Sequence, residues 1–175
     1  MRRVRYAVGM SLDACIADAE DGVGWMIGDP EYDGMAFFGE IDTALMGRRT
    51  WEVALQHSGG AMPGIRGYVF SRTLRPEDHP GVTVVAEDAA GMVAALRAED
   101  TGRDIWLSGG GELFRTLAAA GLVDTVEIGL NPVLLGTGIP LAPRLPRAVH
   151  LELRESTAYR SGLVVLRYDV RRDGA

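Results

Sequence analysis

The feature that most constrains the fold is a strand-like segment that runs into three glycines and then into a helical pattern. Asp104–Leu107 predicts a strand, Ser108–Gly111 a tight turn, and Glu112–Ala120 a helix that Gly121 would end. Glycines leave no side chain between backbone and ligand, and the first amides of a helix favour an anion. The junction therefore predicts a phosphate-binding turn in an α/β protein. The alternative, that the glycines serve only close packing, stays open.

Two further strand ends carry similar chemistry. Gly47, Arg48, Arg49 and Thr50 lie between a short strand and a helix. Two arginines at a helix start are electrostatically unfavourable, because the helix dipole attracts negative charge there, and a bound anion would relieve this. Ser71-Arg72 follows a third strand. Ligands of α/β sheets collect at the carboxyl ends of strands, so three such ends favour a dinucleotide with an extra phosphate.

The rest of the chain alternates between strand and helix patterns before a terminal hairpin. The strands are expected at Val4–Met10, Ala44–Met46, Tyr68–Phe70, Val82–Val85, Asp104–Leu107, Val126–Leu130, Leu151–Ala158 and Leu163–Val170. The helices are expected at Asp29–Ile41, with Asp29 as the capping residue, and at Thr50–Leu55, Ala89–Arg97 and Glu112–Ala120. The connections are expected at Ser11–Gly28, Gln56–Arg66 and Pro132–Arg147. This order predicts a mainly parallel α/β sheet with an antiparallel edge, in one domain spanning 1–175.

Composition narrows the classes of function. A net charge of −6 disfavours a general nucleic-acid surface. All 18 basic residues are arginines, which excludes Schiff-base lysine chemistry and a P-loop lysine. The single cysteine and three scattered histidines disfavour a metal site. No apolar run approaches the length of a membrane helix, so we expect no membrane partner and a cytoplasmic location.

Five motifs in order make the sequence similar to a known family. They are Gly9–Ala17, Leu45–Glu52, Phe70–Thr73, Ile105–Leu113 and Pro132–Leu141. Together they resemble the dihydrofolate reductase superfamily. The resemblance is closer to the reductase domain of the bacterial bifunctional riboflavin-biosynthesis deaminase/reductase and to small stand-alone proteins sharing that domain. It spans nearly the whole chain, from about Val4 to Val170.

The resemblance implies a dihydrofolate reductase-like fold, with about eight strands in a central sheet flanked by helices, and an NADPH site. The phosphates would be held by Gly47, Arg48, Arg49 and Thr50, and the 2′-phosphate by Ser71 and Arg72. The pyrophosphate would be approached by Ser108, Gly109, Gly110, Gly111, Glu112 and Leu113, and the nicotinamide flanked by Ala7 and Ile16. No acid stands between Phe70 and Leu74 to bind a free ribose 2′-hydroxyl, which favours NADP over NAD.

Two acids are the candidates for catalysis. Asp33 precedes the apolar residues of the first predicted helix, and a carboxylate at a crevice could bind a heterocycle or donate a proton. A solvated helix charge is the alternative. Asp13 follows the first strand, where the riboflavin-type reductases also place an acid; it either lines the substrate pocket or bonds to loop amides.

These observations give a leading hypothesis and two alternatives. The leading one is an NADPH-dependent reductase that transfers hydride to a C=N or C=O group of a small, heterocyclic substrate, with riboflavin-pathway reduction as one reaction. The second is an NADP(H)-binding module that keeps the fold without turnover. The third is a site that binds no dinucleotide. The resemblance also leads us to expect a homodimer.

Overall fold

The computed structural model describes residues 1–60 and 62–172. Ten strands occur along them: β1 Val4–Met10, β2 Cys15–Ala17, β3 Ile41–Gly47, β4 Arg66–Phe70, β5 Thr83–Val85, β6 Asp104–Gly109, β7 Thr125–Leu130, β8 Ile139–Pro140, β9 Leu151–Ala158 and β10 Val164–Val170. The four α-helices are α1 Gly34–Glu40, α2 Arg48–Ser58, α3 Ala89–Ala98 and α4 Gly111–Ala119. Every strand and helix predicted from the sequence is present; β1 and β9 have the predicted ends, and the others have shifted ends. The predicted Gln56–Arg66 connection includes position 61, which lies outside the described residues.

Eight of the strands form one sheet in the order β5-β4-β3-β6-β1-β7-β10-β9. The first six strands in this order, from β5 across to β7, pair in parallel with their neighbours. The strand β10 pairs antiparallel with both β7 and β9. The predicted parallel sheet with a C-terminal antiparallel hairpin is therefore confirmed. Because parallel strands all end on the same side, β1, β3, β4 and β6 deliver their carboxyl ends to one edge.

The helices cover both faces of the sheet. One apolar cluster joins β1, β3 and β6 to α3 and α4, and within it Tyr6 stacks on Phe114 at 4.3 Å between ring centroids. On the opposite face, Trp51 of α2 packs against Met46 and Val69. Phe37 of α1 meets Trp106 of β6 edge-on at 5.7 Å. Both faces of the central strands are thus buried, which accounts for their nearly continuous apolar sequence.

Helix α1 begins later than the sequence predicts. Asp33, not Asp29, is its N-cap, and the Asp33 carboxylate accepts hydrogen bonds from the Met35 and Ala36 amides. The Asp29 carboxylate instead accepts from the amides of Ser161 and Glu31. A hydrogen bond with the Ser161 side chain, followed by those from the two amides, lowers the pKa of Asp29. The cap prediction was wrong because Asp29 is recruited by the β9–β10 turn, a contact between positions far apart in sequence.

A second, two-stranded sheet was not predicted. β2, inside the predicted loop Ser11–Gly28, pairs antiparallel with β8, inside the segment Pro132–Arg147 that was expected to be mostly loop. A methyl group added to Gly138 would overlap the Ala17 carbonyl oxygen, so the two segments touch backbone to backbone. The Pro132–Arg147 segment also reaches the start of α4, where a methyl group on Gly111 would lie 2.6 Å from the Pro140 carbonyl oxygen.

Candidate functional site

The turns after β3 and β6 meet at the carboxyl edge of the sheet. A methyl group on Gly47 would lie 3.6 Å from the Gly110 amide nitrogen, and one on Gly109 would lie 3.1 Å from Thr50 Oγ1. Gly109 has φ +141°, a conformation that favours glycine. The peptide bond between Gly109 and Gly110 is cis. Two glycine turns that are distant in sequence therefore form one continuous backbone surface.

Helices α2 and α4 both start at this surface. Their N-caps are Gly47 and Gly110, and neither cap supplies a side-chain hydrogen bond. The first amides of a helix lack intrahelical partners and carry the positive end of the helix dipole. The edge therefore presents two sets of anion-binding donors side by side.

A cleft of about 910 Å³ opens over these helix ends. Ten of the fourteen residues predicted to bind a cofactor line it: Ala7, Ile16, Arg48, Arg49, Thr50, Ser108, Gly110, Gly111, Glu112 and Leu113. Gly47 and Gly109 form the adjoining turns. The structure thus brings together twelve of the residues selected from the sequence.

The remaining two predicted residues lie one strand farther out. Ser71 and Arg72 follow β4, whose last residue, Phe70, pairs with Gly47. The Ser71 hydroxyl oxygen accepts hydrogen bonds from the Thr73 and Leu74 amides, which shapes a tight turn. Arg72 is exposed at the same edge as the cleft. Its proposed contact with a 2′-phosphate stays a prediction.

The cleft is rich in cations held by surface carboxylates. Arg48 pairs with Glu52 at 2.7 Å, and Arg49 approaches Asp21 at 3.5 Å. Arg144, which was not predicted, lines the cleft and pairs with Glu112 at 3.3 Å. Exposed pairs of this kind contribute little to stability and exchange partners easily. These arginines can therefore turn to a bound phosphate without disturbing the fold.

A smaller crevice of about 370 Å³ adjoins the cleft. Both are lined by the same five residues, Ala7, Val8, Gly9, Met26 and Trp106. The Trp106 ring nitrogen donates to the Ala7 carbonyl at 2.9 Å, which fixes the indole between the two spaces. A molecule in the crevice and a molecule in the cleft would consequently lie next to each other beside Ala7.

Asp33 lines the crevice, but its position differs from the one expected. It precedes α1 as the N-cap, and both capping bonds go to Oδ1. Capping residues have one oxygen engaged by amides, which leaves the other able to bind a ligand. Asp33 therefore stays a candidate for substrate contact, with a structural role that the sequence interpretation had given to Asp29.

Of the two roles considered for Asp13, the structure shows the second, hydrogen bonding to loop amides. Its carboxylate accepts hydrogen bonds from the Ser11 hydroxyl at 2.6 Å and from the Leu135 and Gly136 amides at 3.1 and 2.7 Å. These bonds, led by that from Ser11, lower the pKa of Asp13 to about 2. The group is ionised at neutral pH and clamps two loops together, so it is poorly suited to donate a proton.

The floor of the crevice contains a charged network that the sequence interpretation missed. The guanidinium of Arg5 donates to both oxygens of Glu127, at 2.6 and 2.9 Å, and also pairs with Glu40. Burial lowers the pKa of Arg5, but these carboxylates outweigh it and the net pKa is raised. Arg167 of β10 lies across from Glu127. The available signal was a charged residue inside each of the apolar strands β1 and β7.

Two other kinds of site find no support in the part of the chain that the structure describes. Its histidines, cysteine and acids form no group of three that could hold a metal ion. Within residues 1–60 and 62–172, no helix combines the length and apolar composition needed to cross a membrane.

Comparison with known families agrees with this architecture. The family model of the RibD C-terminal domain matches residues 2–165. The chain belongs to the RibD C-terminal domain family. YyaP of Bacillus subtilis strain 168, an uncharacterized protein, is 29% identical over 179 residues, covering 95% of the chain and 94% of YyaP. YwjB of the same organism, also uncharacterized, is 30% identical over 160 residues, covering 87% of the chain and 90% of YwjB.

Solved structures show the same fold. A protein from Shewanella sp. PV-4, provisionally assigned to riboflavin biosynthesis, superimposes with a TM-score of 0.83 at 23% sequence identity. The superposition covers 98% of this chain and 100% of the Shewanella protein. A diaminohydroxyphosphoribosylaminopyrimidine deaminase/5-amino-6-(5-phosphoribosylamino)uracil reductase from Thermotoga maritima gives a TM-score of 0.70 at 13% identity, over 97% of the chain and 57% of the enzyme. This RibD C-terminal domain thus has the dihydrofolate reductase-like fold of riboflavin-pathway reductases.

Proposed function

We propose that the protein is an NADPH-dependent reductase acting on a small heterocyclic C=N or C=O substrate. The observation that carries the proposal is the pair of uncapped helix N-termini, α2 and α4, opening into one cleft that adjoins a second crevice. Two anion-binding helix ends suit the pyrophosphate of a dinucleotide. The crevice across Ala7 suits the molecule to be reduced.

The residues of the cleft fit an NADP(H) molecule. Gly110 and Gly111 leave the backbone open to a pyrophosphate, Arg48 and Arg49 supply movable positive charge, and Ala7 and Ile16 offer an apolar surface to a nicotinamide ring. When bound, NADPH supplies a hydride. The protein binds and orients both partners, and Trp106 together with Met26 keeps water from the contact between them.

Replacing Arg72 by alanine tests the cofactor assignment. We expect the original protein to bind NADPH at least ~10-fold more tightly than NADH, a difference of roughly 1.4 kcal/mol. Arg72→Ala should remove most of that preference, because the guanidinium would no longer meet the 2′-phosphate. Calorimetric titrations with NADPH, NADH and adenosine 2′,5′-bisphosphate measure this.

Arg75→Ala is the matched control. Arg75 lies three positions farther along, is equally charged, and pairs with Asp78 at 2.8 Å. Its removal should leave the ratio of NADPH to NADH affinity unchanged. If Arg72→Ala behaves like Arg75→Ala, Arg72 does not recognise the 2′-phosphate.

Two substitutions at Asp33 separate capping from proton donation. Asn caps helices as well as Asp, so Asp33→Asn should keep the free energy of unfolding within about 0.5 kcal/mol, whereas Asp33→Ala should lower it by about 1 kcal/mol. If Asp33 is the proton source, Asp33→Asn should still slow NADPH oxidation by about 100-fold. Urea unfolding and steady-state rates measure the two effects. Equal rates for Asp33→Asn and the original protein would mean that Asp33 is not the proton source and that the proton comes from solvent.

The alternative is an NADP(H)-binding module without turnover. It is favoured by the engagement of the acids, since Asp13 clamps loops, Asp33 caps α1 and Glu127 holds Arg5. NADPH binding without oxidation against a panel of heterocycles would support this alternative. Failure to bind any dinucleotide would contradict both.

A further inference from the structure

The start of helix α2 receives an acid from another part of the chain. Arg48 and Arg49 open the helix, its N-cap Gly47 supplies no side-chain hydrogen bond, and its first turn contains no acidic residue. Two cations therefore reinforce the positive end of the helix dipole. The carboxylate of Asp21, on the connection between β2 and α1, approaches Arg49 Nη1 at 3.5 Å. This carboxylate stands where an anionic ligand would be attracted.

The ion pair between Asp21 and Arg49 joins two elements that line the cleft. Asp21 and Val23 line it from the connection between β2 and α1, whereas Arg49 and Val53 line it from α2. The side chains of Asp21 and Arg49 are 36% and 62% exposed. A ligand phosphate at the start of α2 would therefore meet the carboxylate of Asp21 as well as the guanidinium of Arg49.

The turn that carries Asp21 has a defined backbone. Asp18 Oδ1 accepts hydrogen bonds from the amides of Glu20 and Gly22, at 3.0 and 2.6 Å, and the Trp25 ring nitrogen donates to the Gly22 carbonyl at 3.1 Å. A methyl group on Gly22 would overlap the Asp18 carboxylate. Asp21 has φ +65°, a left-handed conformation that Asp and Asn adopt more readily than other non-glycine residues. The turn thus presents the Asp21 carboxylate toward α2.

The other two arginines of the cleft are paired in a different way. Arg48 pairs with Glu52, which lies one turn farther along the same helix. Arg144 pairs with Glu112, which Arg115 also holds at 2.7 Å. A phosphate that drew Arg144 away would leave Glu112 with a second arginine. A phosphate that drew Arg49 away would instead leave the Asp21 carboxylate beside it.

We propose that Asp21 is an internal competitor for the phosphate-binding end of α2, and that its carboxylate holds Arg49 until a ligand with a pyrophosphate group displaces it. A pyrophosphate carries more negative charge than a carboxylate and offers more acceptor oxygens, so it wins the exchange. The displaced carboxylate then repels the ligand. Asp21 therefore lowers the affinity of the cleft for its own ligand and disfavours weaker, singly charged anions.

This inference rests on the proposed function for the identity of the ligand, and inorganic pyrophosphate tests it without NADPH. The two probes are titrated separately into the full chain by calorimetry, at about 0.15 M ionic strength, where exposed charges farther apart than ~8 Å are largely screened. Asp21→Asn suits the left-handed turn and removes the charge. We expect it to bind both probes ~5-fold more tightly, the upper end of what an exposed ion pair is worth. Misfolding would weaken binding, so a gain cannot come from damage to the fold.

Glu20→Gln is the matched control. Glu20 is the preceding residue, is exposed in the same turn, and its substitution removes the same charge. It should change either affinity by less than ~2-fold. Arg49→Gln completes a double-mutant cycle. Adding Asp21→Asn to Arg49→Gln should bring no further gain, because the competition acts through the Arg49 guanidinium.

The outcomes separate this inference from the proposed function. The inference is overturned if Asp21→Asn binds the probes no more tightly than Glu20→Gln, or if its gain persists in the Arg49→Gln background. A gain for pyrophosphate in a protein that does not bind NADPH would support the inference and contradict the reductase. NADPH binding that is equal in Asp21→Asn and the original protein would do the reverse. Failure of both probes to bind would overturn both proposals.

Discussion

Gly111→Ala is expected to lower the free energy of unfolding by about 3 kcal/mol, the upper end of what overpacking typically costs. A methyl group at Gly111 would lie 2.6 and 3.0 Å from the carbonyl oxygens of Pro140 and Leu141, and 2.5 Å from Pro143 Cδ. Backbone oxygens cannot rotate away as a flexible side chain would. Relief therefore requires β8 to move, and β8 is paired with β2. Urea unfolding measures the loss.

Gly39→Ala provides the control for this substitution. Gly39 lies inside α1, and a methyl group there would meet no atom within 4 Å. Alanine in an open helical position stabilises by ~0.5–1 kcal/mol, so this variant should be slightly more stable than the original protein. If the two substitutions shift the unfolding midpoint alike, the close approach of α4 to β8 is not a determinant of stability.

Gly110→Ala is expected to reduce NADPH affinity by about 100-fold, roughly 2.7 kcal/mol, while the protein still folds. A methyl group on Gly110 would lie 3.7 Å from Thr50 Oγ1 and 4.0 Å from Ile16 Cδ1, ordinary contact distances. Its φ of −101° is accessible to alanine. The methyl group would instead occupy the space between two cleft-lining residues, where the backbone must meet the ligand.

Calorimetry with NADPH and urea unfolding separate the two glycines. Gly110→Ala should bind NADPH more weakly while its free energy of unfolding changes by less than about 1 kcal/mol. The main effect of Gly111→Ala should instead be a lower free energy of unfolding. Undiminished NADPH affinity in Gly110→Ala would mean that the cofactor does not approach the triglycine turn. That result would remove the main support for the proposed reductase.

The turns proposed to bind phosphate could be predicted because they depend on local sequence. Glycine after a strand, cations after glycine and a helix after both are readable within ten residues, and twelve of the fourteen predicted positions lie at one surface. The substrate side could not be predicted in the same way. Asp33 takes the capping role predicted for Asp29, because Ser161, far along the chain, engages Asp29.

The sequence by itself determined the order of the main sheet's strands and of the helices, the parallel sheet with its terminal hairpin, and the glycine turns proposed to bind anions, since each follows from residue spacing and backbone preference. Only the tertiary structure decided which charges face a ligand. Arg5 and Glu127 stand on neighbouring strands and Glu40 ends a helix, and the pairing of these three depends on sheet order. Electrostatic compensation acts through space, so whether an arginine can bind a ligand is decided by the neighbours that folding brings to it.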